Sequence, residues 1–176
     1  MQEAVLHPPR TLLEVFRMLP EGTRAELIEN SLYMSPAPTV THQDIIVSLA
    51  SQIYVFTKKK KLGKTFVAPV DVFLNPENAF QPDILFISKK NSGIIKEDGI
   101  YGAPDLVIEV LSPGSKKLDL TKKKDVYEAA GVREYWVVDP ATKVSQGFHL
   151  VKKKYEPLNK EKGKLTSALL KQTFKF

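Results

Sequence analysis

The prediction of the fold starts from residues 106–138, which have the sequence LVIEVLSPGSKKLDLTKKKDVYEAAGVREYWVV. This stretch opens with an apolar, β-branched run that predicts a strand over 106–111, continues with helical spacing over 116–130, and closes with a second predicted strand over 134–138. Gly131 follows the predicted helix at the position where a left-handed residue is favoured. This order predicts an α/β core in which helices pack against a mixed sheet.

The flanking segments extend this pattern toward both ends of the chain. A helix over 41–57 and strands over 65–74 and 84–88 precede the quoted stretch, so the core over about 41–140 has the order helix, three strands, helix, strand. We expect extensions on both sides of this core, namely a helix over 11–19, a hairpin over 24–34, weaker strands over 144–155 and 165–176, and a loop over 159–164.

Size and composition limit the class of protein. A chain of 176 residues with 43% hydrophobic residues can bury one ordinary core, so we expect a single domain over 1–176. Its formal net charge of +6 favours a polyanionic partner. The absence of cysteine excludes disulfides, thiolate metal sites and cysteine nucleophiles, and it fits a cytoplasmic location. Residues 1–16 do not resemble a signal peptide, and no run approaches the roughly 20 apolar residues of a membrane span, which predicts a soluble protein without membrane contact.

Two acidic residues stand at unusual places in the predicted strands. Asp83 opens the strand at 84–88, and Glu109 lies within IEVLS, where apolar neighbours would desolvate its charge. A hard divalent cation such as Mg²⁺ or Mn²⁺ would compensate these carboxylates, because it is held by one or two of them together with water and substrate phosphate. The alternative is that Glu109 faces solvent or pairs with a lysine.

The predicted helix over 116–130 carries a lysine triplet whose members differ in helical phase. Lys123 shares one face with Asp119 and Tyr127, whereas Lys122 and Lys124 are rotated away from that face. The central lysine is therefore best placed to turn its ammonium toward the sheet, where it would stabilise developing negative charge or position a water. The alternative is a solvated basic face. In both cases we expect a surface or cleft-edge lysine whose replacement leaves folding intact.

Several longer strings carry a family resemblance. They are AELIEN at 25–30, MSPAP at 34–38, His42, QPDILFIS at 81–88, GAPDLVIEVLSP at 102–113 and DLTKKKDVYEAAGVREYWVVDP at 119–140. Over roughly Leu12 to Pro140 the chain resembles the Uma-two group of restriction endonucleases within the PD-(D/E)XK superfamily. The resemblance implies a restriction-endonuclease-like fold and nuclease chemistry.

The resemblance also implies roles for particular residues. Asp83 and Glu109 are implied as catalytic metal ligands that lie on adjacent strands with both side chains on one face, and the main-chain carbonyl of Val110 is implied as a further ligand. The superfamily motif places lysine two residues after the glutamate, where this chain has Leu111. In this group the catalytic lysine is implied to have moved to the following helix, which selects Lys123.

Glu26, His42 and Tyr127 form a second tier of candidates. Glu26 and His42 match family positions and are expected to line the cleft, while Tyr127 shares the helical face of Lys123. The alternatives are a surface strand position for Glu26 and a capping or packing role near Thr41 for His42.

These observations favour an endonuclease that hydrolyses DNA phosphodiester bonds with Mg²⁺ or Mn²⁺. Because Leu111 replaces the usual lysine, the alternative is a catalytically degenerate protein that keeps the fold as a nucleic-acid-binding or accessory subunit. A third possibility is a subunit that cuts only with a protein partner, for which the sequence supplies no recognition motif. The sequence also contains no helix-turn-helix or zinc-finger motif. Cleavage of both strands of a duplex would favour a homodimer.

Two other features have simpler interpretations. The basic runs at 58–61 and 152–154 either contact a phosphate backbone or contribute to solubility. Trp136 is expected to lie in the core and not to stack on bases, because buried-strand residues follow it.

Overall fold

The computed structural model describes residues 8–176, so residues 1–7, part of the segment that argued against a signal peptide, lie outside the described residues. The helices are α1 (Leu12–Arg17), α2 (Val40–Lys59), α3 (Lys116–Leu120) and α4 (Lys122–Ala130), with a 3₁₀ helix at Lys89–Ile94. The strands are β1 (Ala25–Ile28), β2 (Ser31–Met34), β3 (Gly63–Val67), β4 (Val72–Asn75), β5 (Asn78–Phe80), β6 (Ile84–Ser88), β7 (Ile95–Lys96), β8 (Gly99–Tyr101), β9 (Leu106–Val110), β10 (Glu134–Asp139), β11 (Val144–Val151), β12 (Lys154–Pro157), β13 (Glu161–Lys162), β14 (Lys164–Ser167) and β15 (Gln172–Lys175).

The central sheet has the strand order β12, β11, β10, β9, β6, β3, and β13 pairs with β11. Strands β9 and β10 run parallel, whereas β6 pairs antiparallel with both β9 and β3. A parallel pair needs a long crossover connection, and α3 and α4 supply it between β9 and β10. The interpretation of residues 106–138 as strand, helix, strand and the predicted mixed α/β fold are therefore confirmed.

Successive residues of each central strand fill opposite faces of the sheet. On one face, Phe86, Ile108 and Trp136 pack with apolar residues of α2 and of the β14–β15 hairpin. Trp136 is 1% exposed, which confirms its expected place in the core. On the other face, Val107 and Tyr135 pack with residues of α4 and of the second sheet. The central sheet is thus covered on both sides.

The second sheet has the order β2, β1, β5, β4, β8, β7. The single strand predicted over 65–74 is wrong, because residues 63–67 form β3 in the central sheet and residues 72–75 form β4 in the second sheet. Pro69 lies between them and has no N–H to continue a ladder. Strands β5, β7 and β8 have only two or three residues each, which is too short for a period to be visible in sequence.

The elements before the core are confirmed. Helix α1 begins with a capping box, in which Glu14 N–H donates to the Thr11 side chain and the Glu14 carboxylate accepts from the Thr11 N–H. Strands β1 and β2 form the predicted hairpin, and its turn residues Glu29 and Asn30 both have positive φ, of 47° and 56°. Helix α2 covers the prediction of 41–57 and extends it slightly at both ends.

None of the described helices combines the length and the apolar character needed to cross a membrane.

Three predicted elements are divided in the structure. The helix predicted over 116–130 is interrupted at Thr121, whose backbone leaves helical geometry and whose hydroxyl donates to the Lys117 carbonyl. The strands predicted over 144–155 and 165–176 are each hairpins, with left-handed residues at the turns. The loop predicted over 159–164 contains β13, which pairs with β11.

A close contact between β10 and β11 supplies a test of packing in the central sheet. Gly147 is the cross-strand neighbour of Trp136, and a Cβ at Gly147 would lie 2.5 Å from the indole ring. We expect Gly147→Ala to lower the free energy of unfolding by about 1–3 kcal/mol, because a buried indole between two layers cannot move aside without strain. Urea unfolding measures the loss. Gly93→Ala is the control, since no atom lies within 4 Å of a Cβ there, and equal stability of the two variants would contradict this packing.

Candidate active site

The pairing of β6 with β9 brings Asp83 and Glu109 together. The antiparallel register pairs Ile84 with Ile108, so Asp83, the residue before β6, lies next to Glu109 of β9. The Asp83 N–H lies 3.4 Å from Glu109 Oε2. The two carboxylates are 7% and 4% exposed as residues, and Asp83 Oδ2 accepts a hydrogen bond of 2.7 Å from Val110 N–H. Asp83 and Glu109 thus lie next to each other at the ends of adjacent strands, and their sharing of one face and one cation stays a prediction.

Lys123 reaches this pair from the crossover helices. Its Nζ lies 2.7 Å from Glu109 Oε1, 2.9 Å from Glu26 Oε1 and 3.2 Å from Asp119 Oδ1. The residue is 3% exposed, so the expectation of a surface lysine is wrong, although Lys123 does line the cleft. Lys123 is buried because the helical face that carries it packs between the central sheet and the second sheet. Its neighbours differ, because Lys122 pairs with Glu29 at the surface and Lys124 lies over the ring of Phe148.

The second-tier candidates Glu26 and Tyr127 also lie at this cluster. Tyr127 is fully buried, and its hydroxyl donates to Glu109 Oε1 over 2.9 Å. Glu26 in β1 accepts from Lys123 and from the main-chain N–H of Gln81. Glu26 is thus not a free surface residue of its strand. Asp119 is a further member of the cluster that had no role predicted from sequence, and its spacing of four residues from Lys123 is the signal that could have indicated it.

His42 in the first turn of α2 contacts the other end of the pair. Its Nε2 lies 3.3 Å from Asp83 Oδ2, while its main-chain N–H donates to Thr39 Oγ1 at the helix cap. Burial lowers the pKa of the imidazole, but hydrogen bonding to Asp83 and the charge of Asp83 outweigh burial, so the net pKa is raised. Nδ1 is one of the buried side-chain atoms, among the described residues, that lack a hydrogen-bond partner. The imidazole therefore retains one unsatisfied nitrogen in the site.

Burial sets the protonation of the cluster. It raises the pKa of Glu109 well above its usual range, against the opposing charge of Lys123, and it raises the pKa of Asp119 in the same way. Burial disfavours the Lys123 ammonium as well, yet the charges of Glu109, Glu26 and Asp119 outweigh it and hold the pKa of Lys123 well above its usual range. The carboxyl groups of Glu26, Glu109 and Asp119 thus share one permanent cation, and when all three are ionised they carry more negative charge than that cation balances.

The donor set at Asp83 and Glu109 fits a hard divalent cation. Among the described residues, no three His, Asp or Glu side chains form a complete metal-binding group. A pair of carboxylates with a main-chain carbonyl at Val110 is instead the partial shell that Mg²⁺ accepts, because Mg²⁺ keeps several waters and takes substrate oxygens. The surplus negative charge favours a cation at the same place.

A cleft of about 440 Å³ opens onto these carboxylates. Segment 34–39 between β2 and α2 forms one wall, and segment 111–115 after β9 forms the other. The basic run 58–61 is not part of the cleft, because it lies at the far end of α2, about 27 Å from His42 along the helix axis at 1.5 Å per residue. The run 152–154 also lies elsewhere, and Lys154 pairs with Glu128.

The crossover fold with paired carboxylates at the ends of β6 and β9 defines a restriction-endonuclease-like α/β protein. The model of the Uma2 family, described as "Putative restriction endonuclease", matches residues 12–174, and the chain belongs to this family. A solved structure described as "a putative nuclease belonging to DUF820 from Anabaena variabilis ATCC 29413" has the same fold, with a TM-score of 0.74 and 23% identity over 93% of this chain and 92% of that chain. No curated protein matches the chain.

The buried position of Lys123 leads to a prediction about stability. Lys123→Met removes the ammonium from three carboxylates, and we expect a loss of about 3–5 kcal/mol in the free energy of unfolding, as for other broken buried ion pairs. Lys122→Met and Lys124→Met are matched controls of equal charge change and should shift stability by within about 0.5 kcal/mol. Chemical denaturation at neutral pH compares the three, and similar losses in all of them would contradict the buried arrangement.

The raised pKa of Glu109 makes the stability of the metal-free protein depend on pH. A carboxyl whose pKa is raised by folding stabilises the protein below its unfolded value of 4.5, and this contribution is lost as pH rises through the raised pKa. Glu109→Gln keeps an acceptor for Tyr127 but does not ionise. We therefore expect wild type to lose stability relative to Glu109→Gln as pH rises above 4.5 and through the raised pKa, measured by urea unfolding in chelator. Parallel pH curves for the two proteins would count against the raised pKa.

Proposed function

We propose that the chain is a metal-dependent endonuclease that hydrolyses DNA phosphodiester bonds. The observation that carries this proposal is the pair of buried acidic residues, Asp83 and Glu109, which lie next to each other at the ends of adjacent strands and line an open cleft. Their surplus negative charge is suited to a divalent cation and not to an apolar ligand. Membership of the Uma2 family supports the same class of reaction.

Asp83 and Glu109, with the main-chain carbonyl of Val110, would hold Mg²⁺ or Mn²⁺. The bound cation would supply Lewis acidity toward the phosphate and lower the pKa of a water. The chain fixes both carboxylates in advance, because Val110 N–H donates to Asp83 and the Tyr127 hydroxyl donates to Glu109. Groups that orient ligands in this way strengthen binding without contacting the substrate.

Lys123 would act on the site through Glu109. Its ammonium lies on Glu109 Oε1, which favours the ionised carboxylate against the desolvation of the strand. The same ammonium lies near Phe80 and between Glu26 and Asp119, so it is held in a fixed place. A phosphate entering the cleft would meet this charge without reorganisation of the protein, which is the condition for electrostatic stabilisation of a transition state.

His42 would act on the site through Asp83. When Nε2–H donates to Asp83, Nδ1 becomes an acceptor, and it is the nitrogen without a partner. Because Nδ1 is buried, the role that this geometry supports is the orientation of Asp83 through Nε2. We therefore assign His42 to the positioning of Asp83, in preference to the capping role considered from sequence.

A second candidate function is a nucleic-acid-binding or accessory subunit that has lost turnover. The observation in its favour is that Lys123 Nζ has carboxylate oxygens within 3.2 Å on three residues, which leaves less of its charge for a substrate. Dependence on a divalent ion separates the two candidates, because an accessory subunit would bind DNA without cutting it in the presence of Mg²⁺ or Mn²⁺.

Nicking of supercoiled plasmid with Mg²⁺, Mn²⁺ or chelator tests the proposal. We expect metal-dependent nicking by wild type and a fall of roughly 10²-fold or more in Asp83→Asn, which keeps the acceptor for Val110 N–H but weakens the metal site. Asp125→Asn is the matched control, since Asp125 is exposed on α4 near Lys123 and should leave the rate unchanged. Cleavage in chelator, or equal cleavage by Asp83→Asn, would overturn the metal-dependent site. If plasmid, linear and single-stranded substrates all stay intact, the accessory function is favoured.

A further inference from the structure

Two pockets meet at the carboxylate pair. The cleft already described has a neighbour of about 300 Å³ on the other side of Asp83, between α2 and β3. Asp83 and Arg24 line both of them. A chain-like ligand that crosses this junction would therefore place one unit in each pocket and its connecting group beside Asp83 and Arg24.

Apolar side chains form the walls of both pockets. In the cleft, Tyr33, Met34 and two prolines of segment 34–39 lie on one side, and Met34 is 62% exposed. In the smaller pocket, Val47 of α2 and Val67 of β3 are 64% and 44% exposed. Single exposed apolar residues are ordinary, but here they line two adjoining concave surfaces next to buried charge.

Basic residues are scarce on these walls. Of the described residues that line either pocket, Arg24 and Lys123 are the only lysines or arginines, and Lys123 is buried among carboxylates. The exterior of a duplex presents phosphates, whose binding needs many cations. An unpaired strand also presents the flat faces of its bases, which pack on aromatic and apolar side chains. The walls therefore match bases better than they match two phosphate backbones.

We propose that the site takes an unpaired DNA strand, with adjacent bases in the two pockets and the phosphodiester between them at Asp83, beside Arg24. This inference rests on the proposed function, because it treats Asp83 as the place of the scissile phosphate. A site that binds DNA in this way cuts one strand at a time. The substrate then does not require the homodimer that cleavage of both strands of a duplex would favour.

Binding in chelator tests the inference without any need for turnover. Fluorescence anisotropy compares a labelled single-stranded oligonucleotide of mixed sequence with its perfect duplex at several salt concentrations. We expect the single strand to bind roughly tenfold tighter or more, and to keep this advantage as salt rises, because base contacts are less sensitive to salt than phosphate contacts. Duplex binding as tight as single-strand binding would overturn the inference.

Substitutions on the walls add a matched comparison. Met34→Ser and Val47→Ser remove apolar surface from one pocket each, and we expect each to weaken single-strand binding by roughly tenfold, the scale of one lost base contact. Met18→Ser and Val55→Ser are the controls, since these residues are 50% and 61% exposed and line neither pocket. Pocket variants that bind as well as the controls would remove the pockets from the binding surface.

Cleavage then separates this inference from the function on which it rests. With Mg²⁺ or Mn²⁺ we expect wild type to cut single strands, and duplexes within an internal unpaired loop, faster than perfect duplexes. If a perfect duplex is cut as fast in an Asp83-dependent reaction, the preference for unpaired strands is wrong and the endonuclease function stands. If nothing is cut, the endonuclease function fails, while the binding comparison still decides whether unpaired strands occupy the pockets.

Discussion

The ammonium of Lys123 is the contact on which both the fold and the site depend. It lies within 3.2 Å of carboxylate oxygens from β1, β9 and α3, and so it joins the second sheet, the central sheet and the crossover helices at one point. An ion of this kind contributes little net stability while it is paired, but its removal leaves uncompensated buried charge. The same side chain therefore links the crossover to both sheets and contributes to the charge of the cleft.

The charges around Lys123 do not cancel. Three carboxylates, those of Glu26, Glu109 and Asp119, converge on it, and the imidazole of His42 reaches only Asp83. A protein selected for stability alone would replace such a group with apolar residues, since satisfied apolar cores are at least as stable as buried ion networks. The carboxylates around Lys123 lie where the cleft opens and border one apolar cluster, whose Tyr127 donates a hydrogen bond to Glu109. A functional role explains the presence of these buried carboxylates better than a contribution to stability does.

Sequence could predict the elements whose hydrophobic periodicity extends over many residues or that have a local sequence signal. The phase of Lys123, the strand that carries Glu109, the hairpin at Glu29 and Asn30, and the core position of Trp136 all have such signals. Sequence could not predict the second sheet, because its strands β5, β7 and β8 are too short for a period and pair with residues far along the chain. For the same reason the burial of Lys123 was missed. Helical phase gives the direction of a side chain, but the layer that covers it is a tertiary property.

Leu111 stands where the superfamily motif that this chain resembles has a lysine. At this position a superfamily lysine would extend from β9 beside Glu109, whereas Leu111 is 6% exposed and packs in the apolar cluster with Tyr127 and Tyr135. The cation is not lost, because Lys123 reaches Glu109 from α4 over 2.7 Å. A strand lysine would be fixed by its own sheet, but a helix lysine is placed only when α4 packs against that sheet. In this chain the cation of the site therefore depends on the crossover that defines the fold, and Leu111 contributes apolar surface to that packing.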